Sequence, residues 1–199
     1  MNKKLISLSI MLSAVAMSSS AFAALDGGQI SFAGLVSDNT CKMNVNNGAQ
    51  DAEIQLLTAS VADVNAVGVV KTSSTGAKPK AFSIIVDCSA SGTTPAGADL
   101  TMTSSFRSNS HGTLSNDMSI DNPAKGVDIA IHEVNMRKGT YAIVYVDGEN
   151  KHSQSFNSDM KATWNFVASY VAQTDPDQPI VPVSAGFIKS NAAYTLTYN

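Results

Sequence analysis

The feature that most restricts how this chain can fold is its final stretch, residues 186–199, reading G-F-I-K-S-N-A-A-Y-T-L-T-Y-N. With a period of two, Gly186, Ile188, Ser190, Ala192, Tyr194, Leu196 and Tyr198 share one side, while Lys189, Asn191, Thr195, Thr197 and Asn199 share the other. Alternate side chains of a β-strand point to opposite faces, so this is the pattern of a strand with one buried face; Thr and Tyr suit such a pleated surface. The strand runs to the last residue, where chains fray unless something holds them. A sheet neighbour and an apolar layer must therefore await this end. By itself the pattern fits the last strand of any β-sandwich.

The opposite end is a targeting segment. Lys3 and Lys4 precede an apolar run over residues 5–17, and small residues lead to Ala21-Phe22-Ala23, an A-x-A cleavage pattern. The run is 13 residues long, short of the roughly 20 that a membrane-spanning helix needs. Residues 1–23 are therefore expected to be a secretory signal peptide. Removing it takes two of the 13 basic residues and none of the 16 acidic ones, leaving 11 against 16, a net charge of −5 over 176 residues. An acidic balance argues against nucleic-acid partners, which favour a basic stripe. A chain of this length fits one domain with a sizeable core.

Cys41 and Cys88 are the two cysteines. In an exported chain an even count reads most simply as one disulfide. Strands are expected at 53–59, 81–88, 100–106, 126–134, 140–146 and 162–172, with strand plus loop over 60–79. Asn46-Asn47-Gly48 reads as a turn and Asp147-Gly148 as a hairpin turn. In A-T-W-N-F-V-A-S-Y-V-A, Trp164, Phe166 and Tyr170 fall in phase, which points to core packing of Trp164. Residues 108–123 and 175–182 read as loops, the latter holding three prolines. Many short strands with turn residues between them, and no convincing amphipathic helix, indicate an antiparallel β-sandwich.

A glycine fourteenth from the end, Gly186, alternation through Ile188, Tyr194 and Leu196, and the penultimate aromatic Tyr198 together resemble the C-terminal motif of chaperone-usher pilins, the fimbrial subunits of Gram-negative bacteria. Near the other end, Gly27-Gly28-Gln29-Ile30-Ser31-Phe32-Ala33-Gly34 reads alone as an edge strand with a glycine bulge; it is similar to the donor extension of the same family. The resemblance implies an all-β, incomplete immunoglobulin-like antiparallel sandwich over residues 35–199 that lacks its last strand, preceded by an N-terminal donor-strand extension at 24–34. It also implies that a Cys41–Cys88 bridge pins the first strand to the second. A periplasmic chaperone would pair temporarily with the strand carrying Tyr194, Leu196 and Tyr198. At the outer-membrane usher, Gly28, Ile30 and Phe32 of a neighbouring subunit would replace it, building a homopolymer, a fimbria on the cell surface that supports adhesion. A minor or adaptor subunit would share every motif. From a different class, a secreted carbohydrate-binding sandwich using Trp164 or the 108–123 loop is the competing reading.

Motifs for catalysis are incomplete. His132-Glu133 opens H-E-x-x-H, but Met136 stands where the second histidine belongs. Ser158 to Lys161 satisfies S-x-x-K and Ser37-Asp38-Asn39 supplies S-D-N, but in reversed order and with no K-T-G. No enzyme activity, metal or cofactor is expected.

Overall fold

The computed structural model describes residues 41–93, 95–108, 112–173 and 181–199. The expected signal peptide and donor extension, and most of the proline-containing loop, lie outside the described residues. In chain order the elements are β1 (Lys42–Val45), α1 (Val61–Val67), β2 (Ala77–Asp87), β3 (Gly97–Thr103), β4 (Leu114–Ser115), β5 (Val127–Asn135), β6 (Thr140–Ile143), β7 (His152–Ser155), β8 (Lys161–Ala172) and β9 (Ala193–Tyr198). They form two sheets, one ordered β1-β2-β8-β5-β4 with β6 also on β5, the other β7-β3-β9. Every pairing between these strands is antiparallel.

Alternation explains how the two sheets meet. Ile84 and Val86 of β2, Ile129 and Ile131 of β5, and Trp164, Phe166 and Ala168 of β8 face Ala98, Leu100 and Met102 of β3 in one core. Trp164 and Phe166 are fully buried, and the indole Nε1 donates to the His152 carbonyl at 2.7 Å. Buried indole N–H groups need such a partner. His152 in turn bridges the sheets: its ring contacts the Glu133 carboxylate at 2.7 Å and the Asn150 amide oxygen at 2.8 Å. The residue pair that opens the protease-like motif thus serves packing, since His132 is also buried, on the opposite face of β5.

β8 is buried on both faces, with Val167, Ser169 and Val171 covered as well. Its outer face is roofed by α1 and the segment after it. Val64 of α1 packs with Ala77 and Val127, Ala172 N–H donates to Gly68 O at 2.8 Å, and Gly76 N–H donates to the Ser169 hydroxyl at 2.8 Å. This corrects the expectation of strand plus loop over 60–79. A capping box starts the helix: the Asp63 amide donates to Ser60 Oγ at 3.1 Å, and the Ser60 amide donates to Asp63 Oδ2 at 2.9 Å.

Other boundaries move too. The strand expected at 100–106 lies at Gly97–Thr103, because β3 must pair with β9 from Ala98↔Tyr198 to Thr103↔Ala193. Asp147-Gly148 does form a turn, with the Asp147 carboxylate accepting from the Glu149 and Asn150 amides. The strands it separates, β6 and β7, belong to different sheets, so it is a crossing and not a hairpin. Residues 53–59 form no ladder. They are extended in pattern, with Ile54 and Leu56 turned inward against the core and their neighbours exposed.

Cys41 and Cys88 are joined, with Cα atoms 4.2 Å apart, extending the β1–β2 ladder past its Lys42↔Asp87 pair. The Ser89 hydroxyl, then the Lys161 ammonium at 2.9 Å, hold the Asp87 carboxyl far below the usual carboxylate range. Closing 47 residues is worth about 4 kcal/mol on the chain-entropy account. Replacing both cysteines by alanine is therefore expected to lower the urea midpoint strongly, and an unchanged midpoint in chemical denaturation would contradict this.

A second prediction concerns His132. Burial lowers its pKa from 6.5, against a smaller opposing effect of its 2.7 Å hydrogen bond to the Lys71 carbonyl. The folded state thus keeps the ring neutral. Its contribution is fully present above pH 6.5, the unfolded value, and is lost as pH falls through the lower folded value, because the unfolded chain then binds the extra proton. Between pH 7 and 5 the stability of His132→Gln should fall less steeply than that of the parent chain, measured by urea denaturation at each pH.

Candidate functional site

Both sheets end in a free edge on the same side of the core. Among the described residues, β1 pairs only with β2 and β9 only with β3. Between them lies an open cleft of about 670 Å³. One bank is the unladdered segment 50–56, the other is the approach to β9, residues 188–194. Its floor is apolar, drawn from both sheets: Phe82, Ile84, Met102, Ile129, Ile131 and Ala168. A second opening of about 800 Å³, lined by Glu133, Arg137, Gln154 and Asn165 among others, is more polar and lies between β6 and β7.

The second bank is built with care. The ladder of β9 starts only at Ala193, so the strand expected over 186–199 is shorter than its alternation. Before it, the chain is knotted to the loop after β4. Phe187 donates to the Asn122 carbonyl at 2.9 Å and accepts from the Ala124 amide at 2.8 Å. Asn116, buried, donates to the carbonyls of Ala124 at 2.9 Å and Phe187 at 3.0 Å and accepts from the Lys189 amide at 2.8 Å. One amide side chain therefore ties together three backbone groups on two segments, the Phe187 carbonyl being shared with the Ala124 amide. Gly186 sits where this knot is tightest. A Cβ there would lie 2.6 Å from both the Asn122 oxygen and the Pro123 carbonyl carbon, and closer still to the Ala124 nitrogen. Only glycine allows two backbones to approach so closely.

The predicted site residues divide accordingly. Ile188 and Tyr194 line the cleft. Leu196 and Tyr198 face the same core but lie beyond the cleft, opposite Leu100 and Ala98 of β3. The end of the chain is held, since Asn199 N–H donates to Gly97 O at 2.9 Å and its carbonyl accepts from Ala96 at 3.1 Å. Gly28, Ile30 and Phe32 fall outside the described residues. Trp164 is interior and offers no binding platform. Asn116 was not singled out from sequence; it stands in a polar loop among other asparagines and serines, with nothing local to mark it.

The profile of the family described as "Fimbrial protein" matches residues 30–199. This chain belongs to the fimbrial protein family. Among solved structures, one similar to it is a chaperone-usher pilus studied for the basis of rod uncoiling, 18% identical over 88% of this chain and 97% of that one, with a TM-score of 0.58. Another is the P pilus rod subunit PapA, 14% identical over 79% of this chain and 99% of that one, with a TM-score of 0.51. At such identities the likeness is one of fold, which is the immunoglobulin-like sandwich of these pilus subunits. Among curated proteins, none matches the sequence.

Because the atoms facing Gly186 are backbone, Gly186→Ala is expected to destabilise this fimbrial protein by about 1–3 kcal/mol through overpacking. Asn116→Ala should cost about 1–3 kcal/mol, chiefly by taking the side-chain partner from the buried Ala124 carbonyl. Urea midpoints for the two variants check both, and either one matching the parent would show that the knot contributes nothing.

Proposed function

We propose that this fimbrial protein is a structural subunit of a surface fimbria that polymerises by donor-strand exchange. The observation that carries the reading is the cleft: an apolar floor open to the outside, with the approach to β9 and its first two residues on one side and the unladdered segment 50–56 on the other. Such an opening exposes core and invites non-specific pairing. An added strand removes both liabilities at once. Strand addition to a sheet edge is a general mode of recognition, of which chaperone–pilin complementation is a known instance.

The occupant is the segment 24–34 of a second copy. Its Ile30 and Phe32 alternate in the way a half-buried strand requires, and each large apolar side chain that enters the cleft contributes about 1.5–3 kcal/mol. Gly28 lets the inserted backbone approach closely. In the periplasm, a chaperone strand fills the cleft first and keeps the subunit from aggregating. At the outer-membrane usher, the next subunit's extension takes its place. Donor and cleft are different parts of the surface, so the contact is heterologous and propagates into a filament, not a closed ring. The exported fibre then stands on the cell surface, where it supports adhesion.

Surface protein from cells producing the native chain should run as a ladder on an unheated denaturing gel and collapse to one band on boiling. Phe32→Asp should leave a monomer held by the chaperone and absent from the surface. Normal ladders from Phe32→Asp would overturn this assignment of the donor.

A further inference from the structure

The cleft is barred at one end. Tyr194 Oη donates to the Gln50 carbonyl at 2.9 Å, reaching from one bank to the other. Burial, and secondarily the Asp51 carboxylate, raise the pKa of this phenol, so it remains a donor. At the far end Ile188 packs in a cluster with Ala59, so the two banks run in opposite directions and Tyr194 marks the limit of the opening. No residue beyond it in β9 lines the cleft.

Lengths show why the bar matters. A strand advances about 3.3 Å per residue, so the bank from 188 to 194 offers about 20 Å, while the extension at 24–34 stretches to about 33 Å. The full extension cannot lie along β9 without passing Tyr194. The Gln50 carbonyl points into the cleft, and a strand laid against that bank has its own N–H groups to satisfy there.

Resting on the strand-exchange reading, we propose that Tyr194 is the positioning residue for donor entry: its hydroxyl occupies the Gln50 carbonyl, and a donor strand seats fully only by taking that acceptor and swinging the ring aside. The bar thereby slows uptake of any strand too weak to displace it. It also keeps the two banks at a fixed separation while the cleft is unfilled. Tyr198, whose ring lies beyond the cleft, has no such part.

The test follows uptake of a fluorescein-labelled peptide of residues 24–34 by the full exported chain, read as fluorescence anisotropy against time. Tyr194→Phe keeps the ring and deletes the hydroxyl; Tyr194→Leu removes both, and Tyr198→Phe is the control. Losing one hydrogen bond from the starting state should speed uptake by about two- to tenfold in both Tyr194 variants, with the Tyr198 variant unchanged. Equal rates in the parent, Tyr194→Phe and Tyr194→Leu would overturn the bar while leaving strand exchange intact. Acceleration by Tyr198→Phe equal to that of Tyr194→Phe would also overturn it. No uptake by any chain would remove the strand-exchange reading itself, and the bar with it.

Discussion

The interlocking of two inner faces around Trp164 and Phe166 is what the rest of this molecule depends on. Those rings fill the space between β8 and the short β7-β3-β9 sheet, and the indole is anchored to the backbone of β7. With the middle so filled, the large sheet can be roofed on its outer side by α1 and still keep Val167 and Val171 dry. Among the described residues the smaller sheet consists of three strands, and β9 is joined to it along one edge only. The core ends at that edge with apolar side chains from both sheets facing an opening. A sandwich of this kind is filled at its centre and, among the described residues, open at one side.

Much of this was legible in the sequence, and the legible parts share one property: their burial is imposed by a neighbour at fixed spacing. β8 and β5 show their alternation because sheets cover their inner faces continuously, and the inward set of β9, Tyr194, Leu196 and Tyr198, is the one its period of two predicts. The cysteine pair was readable because an even count in a chain expected to be exported reads as one disulfide. Other features were not readable. The helix at 61–67 is only two turns long and built on β-branched valines, which favour strands, so its signals are confined to the Ser60–Asp63 capping box and the three-residue spacing of Val61, Val64 and Val67. The segment 53–59 has the alternation of a strand and the burial of a strand but no ladder. The strand expected there is absent: alternation turns Ile54 and Leu56 inward, but the ladder needs a backbone partner that no local pattern can supply.

Asn116 and Gly186 make the same point from the side of the site. The glycine was noticed for its distance from the chain end, yet its physical reason lies some sixty residues earlier, in backbone at 122–124. Asn116 satisfies groups on two remote segments. Long-range backbone accounting of this kind leaves no periodic trace.

The bridge between Cys41 and Cys88 has a bearing on how such a fibre carries load. In the fibre proposed above, residues 24–34 would tether the subunit to its neighbour, so tension would reach Cys41 first. Without a covalent link the pull would reach β1, a four-residue strand at the border of its sheet, and hydrogen bonds there would open one after another. With the link it passes directly to the end of β2, which is paired along nearly its whole length with β8. The disulfide acts as a strain relief, moving the point of attachment from a four-residue border strand of the larger sheet to its interior.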